Sequence, residues 1–178
     1  REDPGDDALE AHFDSGRISA THIQTLDSGL TVGLFGLVGD EAARITPAVA
    51  PASFEEAQVA AAAAVETLRA QGVDIIIALS HAGVGHGDEE GEDELIAAAV
   101  DGIDVIVSGH SHTALQEHIM VGDTIIVQAG AYTRYVGELT VSQTGDGWAV
   151  DDYTLHELDD TIVGDPGVIE EVAGFVEA

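Results

Sequence analysis

The chain has 178 residues, enough for one domain with a substantial core, and 45% of them are apolar while only 4% are aromatic. Acidic residues number 34 against 5 basic ones, all arginine, for a net charge of −29, a balance that repels nucleic-acid backbones and anionic lipid. No stretch reaches the roughly 18 consecutive apolar residues of a membrane span, the start Arg1-Glu2-Asp3-Pro4 lacks the apolar run of a signal peptide, and the absence of cysteine excludes disulfides and thiolate metal sites. Two readings of the acidity compete: adaptation to high salt, where screening tolerates dense carboxylates, and an ordinary acidic secreted protein from a GC-rich genome. The acids are spread along the chain, which argues against an acidic tail.

In chain order, residues 1–16 are acidic and partly helical through Ala8-Leu9-Glu10-Ala11-His12-Phe13. His22 to Leu26 and Thr31 to Leu37 read as strands around the turn Asp27-Ser28-Gly29. Residues 40–52 read as a loop with Pro47 and Pro51, followed by Ser53 as N-cap with Glu56 as its capping-box partner. Phe54, Ala57, Ala61, Val65 and Leu68 then recur at helical spacing up to Gly72. Val73 to Leu79 is a nearly continuous apolar run, the pattern of a strand covered on both faces.

A Gly-rich loop over residues 80–92 leads to a helix over Glu92 to Val100 and to a second doubly covered strand, Ile103 to Val107. Gly72-Val73-Asp74-Ile75-Ile76 and Gly102-Ile103-Asp104-Val105-Ile106 resemble each other about one βαβ unit apart, so a right-handed crossover places the two strands side by side and parallel. Beyond them, Glu117 to Val121, Asp123 to Gln128, Val136 to Gln143 and Trp148 to Leu155 read as an antiparallel meander with turns at Gly122-Asp123 and residues 144–147. Residues 159–167 form an acidic connector, and Val168 to Val176 is a final helix.

Two of these strands run into histidine: Leu79-Ser80-His81-Ala82-Gly83 and Ser108-Gly109-His110-Ser111-His112-Thr113. Ligands gather outside the carboxyl ends of parallel strands, so neighbouring strands bring His81, His110 and His112 to one edge. Neutral imidazole suits Zn, Mn and Fe. His110 and His112, two apart in an extended segment, are expected to point the same way, with a local twist sending them to adjacent metals. A single histidine at a strand end is more often solvated than ligating; the His-x-His after glycine raises the case for a metal. No Gly-x-Ser-x-Gly elbow, Walker motif or Rossmann glycine signature is present.

These segments are similar to two motifs of the calcineurin-like metallophosphoesterases, "(T/S)-H-x-G" and "G-H-(S/T)-H". The stretch from Gly102 to Thr113, Thr124-Ile125-Ile126-Val127-Gln128-Ala129-Gly130-Ala131-Tyr132 and Val136-Gly137-Glu138-Leu139 resemble the 5′-nucleotidase branch. The resemblance covers residues 18–170. It implies an α/β fold: half of a two-sheet sandwich flanked by helices, with parallel strands leading into an antiparallel meander. It also implies metal-dependent phosphoester hydrolysis, of nucleotides, at a dinuclear centre of Mn, Zn or Fe. By carry-over, His81 and His110 bind one ion and His112 the other. In that family the ions activate the attacking hydroxide and stabilise charge on the phosphoryl oxygens.

The family's upstream motifs "D-x-H", "G-D" and "G-N-H-(E/D)" do not occur here. Asp6 and Asp7 stand in the wrong context for a bridging aspartate, and the leaving-group histidine belongs to an absent motif, so no catalytic residue is assigned to this chain and neither His12, His22 nor His86 takes that role. The resemblance therefore makes residues 1–158 the C-terminal half of a catalytic domain and residues 159–178 a connector with a terminal helix. Its partners are a phosphomonoester or nucleotide substrate and the missing N-terminal half, in the same precursor or as a separate chain, without which the chain is expected to be inactive. An extracellular, cell-surface or periplasmic location is implied in the same way.

Arg134 is a candidate phosphate contact and His86 a candidate for the substrate mouth; Asp93 and Glu94 read as helix-dipole partners, Asp74 and Asp104 as structural, and His118 and His156 as surface residues. The competing readings are a non-catalytic metal-binding or surface-assembly module that kept the histidines, and a mononuclear metal-binding protein.

Overall fold

The structure, a computed structural model, describes residues 11–47, 53–87, 89–145 and 147–176. The proposed helix over Ala8 to Phe13 is described only from residue 11, where residues 11–14 are helical; Asp6 and Asp7 lie outside the described residues.

Strands β1 (Thr21–Thr25) and β2 (Thr31–Val38) form an antiparallel hairpin. A short helix, α1 (Asp40–Ile45), follows where a loop was expected. At six residues it is too short to show a periodicity, and its first turn is held by a distant side chain, with the Glu41 amide donating to Glu92 Oε1 at 3.2 Å. Helix α2 (Ala57–Ala70) buries Ala57, Ala61, Val65 and Leu68 of the expected stripe, while Phe54 lies before the helix and is exposed. The Ser53 cap is not formed: the N-cap position is Glu56 without a side-chain bond. Ser53 lies four residues before the first helical turn, and the Ala57 amide is satisfied instead by Asp40 Oδ1 at 3.0 Å.

Strand β3 (Ile75–His81), helix α3 (Glu92–Ala99) and strand β4 (Val105–Val107) complete the expected βαβ unit. β3 runs parallel to both β2 and β4. The fold class holds, while the meander takes another form. β5 (Ile119–Val121) and β6 (Thr124–Val127) make a hairpin that joins the same sheet, with β6 parallel to β4, in the order β1-β2-β3-β4-β6-β5. All four residues of β6 are buried, so it behaves as a doubly covered central strand. Only β7 (Tyr135–Thr144) and β8 (Gly147–Glu157) stand apart, as a two-stranded antiparallel sheet bulged between Thr140 and Val141. Helix α4 (Pro166–Val176) follows, its described side chains exposed.

The large sheet has two differently covered faces. Ile76, Ala78 and Ile106 pack against Leu68, Ile96 and their helices in the main core. On the other face Ile75, Val105, Ile125 and Val127 meet Leu139, Val141, Trp148 and Tyr153 of the small sheet. That cover stops short of the carboxyl ends: Val38, Leu79 and Val107 are 40%, 51% and 41% exposed. They lie on the same side as His81, opposite which Val38 is paired. Among the described residues, no helix is long and apolar enough to cross a membrane.

Candidate metal centre

Parallel pairing of β3 and β4, with Ile77 beside Val105 and Leu79 beside Val107, carries both carboxyl ends to one edge. His81 is the last residue of β3 and His110 lies three residues beyond β4. Their rings meet edge to face, centroids 5.1 Å apart and planes at 67°. Glycine permits this approach: a Cβ on Gly109 would stand 3.0 Å from His81 Nδ1 and 3.1 Å from the Ser80 carbonyl oxygen.

The expectation of an extended His-x-His is corrected. His110 and His112 both adopt left-handed backbone, φ 65° and 56°, a conformation costing a non-glycine residue on the order of 1–2 kcal/mol. The chain coils tightly, so the two imidazoles part. His110 turns to His81, while His112 sets its ring edge to face with Tyr132 at 5.3 Å. Tyr132 and Thr133 are left-handed too, φ 58° and 55°. Strain concentrated on two adjoining loops is the pattern of a functional edge.

Two imidazoles this close can each turn one nitrogen to a common ion at about 2.0–2.1 Å. The ring hydrogen bond that a histidine makes among the described residues is that of His156 to Glu138 at 2.8 Å, so the rings of His81, His110 and His112 have no described protein partner. The donor chemistry therefore fits a transition-metal ion. Among the described residues, no group of three or more His, Asp or Glu is close enough to hold an ion by itself.

Behind this edge lies a buried polar network. Gln128, one residue beyond β6, is 1% exposed. Its Nε2 donates to the Gly109 carbonyl at 2.7 Å and to Ser108 Oγ at 2.8 Å. Its Oε1 accepts from Ser111 Oγ at 3.1 Å and from the Thr113 amide. Its carbonyl accepts the hydroxyl of Tyr153 at 3.1 Å, whose pKa burial pushes up. Asp93, fully buried, accepts Ser80 Oγ at 2.6 Å and the Gly83 amide at 3.1 Å, the bonds on either side of His81. Burial raises the pKa of Asp93 and Glu94 adds to the rise, against the lowering effect of donors from Ser108, Ser80 and Gly83. Ser111 Oγ accepts the Val84 amide at 3.2 Å and so ties the two histidine loops together.

The remaining sequence candidates are more dispersed. His86 is exposed in the loop after β3. Arg134 is exposed, its guanidinium 3.8 Å from Glu157 and stacked over Tyr135 at 5.6 Å. Asp93 and Glu94 do fall in the first turn of α3 but face inward, and Glu94 Oε1 accepts the Gly85 amide at 3.0 Å. Their place in the first turn agrees with the reading of them as helix-dipole partners; that reading left out their burial and inward hydrogen bonds. His118 is half-buried just before β5, and His156 is exposed on β8. A cleft of about 480 Å³ lies between the two sheets. Its lining is apolar, with Ile77, Val107, Leu139 and Tyr153 prominent, and includes none of the three histidines.

Gln128 and Asp93 escaped sequence reasoning as parts of the site. Asp93 did carry a signal: with Ile96, Ala97 and Val100 it continues the buried face of α3 at helical spacing. Gln128 carried none beyond its place at the end of an apolar strand.

No family model matches the chain. A 5′-nucleotidase of Diplobatis ommata is 30% identical over 169 residues, covering 85% of this chain and 28% of that protein. The crystal structure of a 5′-nucleotidase precursor from Thermus thermophilus superposes with a TM-score of 0.73 at 25% identity, over 91% of this chain and 34% of that one. The calcineurin-like phosphoesterase YfkN from Bacillus subtilis shares the fold with a TM-score of 0.67 at 18% identity, over 90% of this chain and 57% of that one. The chain thus spans about a third or less of the 5′-nucleotidases it matches.

Proposed function

The chain belongs to the calcineurin-like metallophosphoesterase superfamily, in its 5′-nucleotidase branch, and we propose that it supplies part of a dinuclear metal site hydrolysing phosphoesters of nucleotides. The approach of His81 and His110 to 5.1 Å at the carboxyl edge of two parallel strands carries this reading. His81 and His110 hold one ion and His112 the other, the ions being Mn, Zn or Fe. Bound there, they supply Lewis-acid stabilisation of charge on the phosphoryl oxygens.

The chain's own residues orient and confine. Ser80 and Gly83, both bonded to Asp93, fix the strand tip that carries His81. Tyr132 braces the ring of His112. Arg134, two residues further on, is the candidate phosphate contact once it leaves Glu157, and His86 borders the substrate mouth. The carboxylates of the centre come from polypeptide outside this chain, and the exposed Val38, Leu79 and Val107 beside His81 are the surface such polypeptide covers. On this reading the protein works outside the cell, at its surface or in the periplasm, and the 178-residue chain alone is inactive.

The test compares the full-length protein with this chain for bound metal and for hydrolysis of nucleoside monophosphates and an aryl phosphate. Turnover by the full-length protein that is lost in His110→Ala together with metal supports the assignment. Full metal occupancy without turnover on any phosphoester favours a non-catalytic binding module. Robust turnover by the isolated chain refutes the missing-half reading.

A further inference from the structure

We propose that Gln128 is a positioning residue that presets the separation of His110 and His112 before any ion arrives; the inference rests on the metal-centre reading above. A primary carboxamide has two donor hydrogens and two acceptor lone pairs. Gln128 commits all four to one segment: Ser108 Oγ at 2.8 Å and the Gly109 carbonyl at 2.7 Å from its nitrogen, Ser111 Oγ at 3.1 Å and the Thr113 amide on its oxygen. These partners flank or separate the two histidines. The histidines in turn hold the left-handed backbone that sends one ring to His81 and the other to Tyr132.

A left-handed turn at two non-glycine residues persists only where its surroundings over-determine it; main-chain bonds hold its two ends, from the Ser108 amide to the Val127 carbonyl at 2.8 Å and from the Gly130 amide to the Thr113 carbonyl at 3.0 Å, and between them one buried side-chain amide, that of Gln128, meets the turn at four points. Its main chain is anchored independently: the Leu115 amide donates to the Gln128 carbonyl at 3.1 Å, Tyr153 to the same oxygen at 3.1 Å, and Ala114 bridges Ala129. The clamp is therefore fixed to the sheet and the histidine turn is fixed to the clamp. Val84 joins through Ser111 at 3.2 Å, which registers the His81 loop against the same amide.

The experiment uses the full-length protein, metal-stripped and titrated with Co²⁺. The readouts are the dissociation constants, the visible absorption bands, which report coordination geometry, and the thermal unfolding of the apoprotein. Gln128→Glu keeps the shape and removes both donors; Gln128→Leu removes donors and acceptors together. Both should unfold cooperatively as apoproteins, yet bind Co²⁺ about 10–100-fold more weakly with altered bands. Thr124→Val is the control for simple destabilisation. Thr124 is also buried, at the start of the strand that Gln128 follows, and donates to the Ile103 carbonyl at 2.8 Å, at the far end from the histidines. It should lower the unfolding temperature and leave Co²⁺ affinity and bands unchanged.

Wild-type affinity and bands in folded Gln128 variants overturn the proposal, as does an equal loss of binding in Thr124→Val. Should both Gln128 variants fail to fold, Ser111→Ala removes one anchor of the turn, and unchanged Co²⁺ bands in that variant overturn it too. Absence of Co²⁺ binding by the wild-type protein defeats the metal-centre reading itself. Wild-type binding with unaltered Gln128 variants defeats only the clamp.

Discussion

The carboxylate of Asp104 accepts the backbone amide of Ile76 at 2.6 Å, while its own amide donates to the Ile76 carbonyl at 2.9 Å. The base of β4 is thereby stapled to β3. The relation recurs one strand back, where Asp74 accepts the Thr31 amide at 2.7 Å and the Thr31 hydroxyl at 2.6 Å, stapling β3 to β2. The repeated Gly-x-Asp segments thus have a physical meaning: each aspartate registers its strand against the preceding one.

The two staples should respond oppositely to pH. Burial raises the pKa of Asp104, against the lowering effect of the Ile76 amide and of Arg69. The Thr31 hydroxyl, then its amide, lower that of Asp74. A lowered aspartate contributes stability present above its unfolded pKa and lost as pH falls through the folded one. A raised aspartate contributes stability present below its unfolded pKa and lost as pH rises through the folded one. The advantage of wild type over Asp74→Asn should therefore shrink on acidification from pH 6, and that over Asp104→Asn should shrink as pH rises from 3. Urea unfolding across this range checks both, and parallel slopes for the two variants would contradict the staple account.

His81 and His110 should fail together. Alanine at either position removes a donor from the same ion, so metal analysis of the full-length protein should show the same loss, of about one ion, in both variants. His112→Ala should remove the other ion. A double variant His81→Ala/His110→Ala that loses no more than either single one completes the test, whereas additive losses would place the two rings on different ions.

Gly39→Ala should destabilise the protein by about 1–3 kcal/mol through overpacking. The added Cβ would stand 2.5 Å from Ala82 Cα, backbone that cannot swing aside. Because the Gly39 amide also donates to the His81 carbonyl at 3.2 Å, metal affinity should fall along with stability. Denaturant midpoints and a metal titration measure the two effects, and wild-type values for both would show that the loop yields freely.

Stability should rise with salt. With 34 acidic against 5 basic residues, most carboxylates have no cation to meet. Screening shortens their repulsion from a Debye length of about 10 Å at 0.1 M to about 3 Å at 1 M. The thermal midpoint should climb with NaCl and then level off. A midpoint that is flat between these concentrations would show that the charges are spaced widely enough to ignore one another, and would remove the physical basis for a high-salt habit.

Much of this architecture was legible in one dimension. The nearly continuous apolar runs of β3 and β4 fit strands covered on both faces, as they are short of Leu79 and Val107, and the stripe Ala57, Ala61, Val65 and Leu68 fits one buried helix face, because side-chain direction follows the backbone period. Parallel pairing then obliges His81 and His110 to share an edge. The rule that identified β3 also applied to Thr124-Ile125-Ile126-Val127; reading that run as a meander strand missed its place inside the sheet, parallel to β4.

What period and composition could not supply is conformation set from a distance. The left-handed turns at His110 and His112 contain no glycine at those positions, and they are held by the side-chain amide of Gln128, more than a dozen residues later in the chain. The cap of α2 comes from Asp40, and that of α1 from Glu92. Local sequence determined the strands and the longer helices, though not α1, and which edge gathers the imidazoles. Only tertiary structure decided which way each imidazole turns, because hydrogen bonds between residues remote in sequence overrode the backbone's local preference.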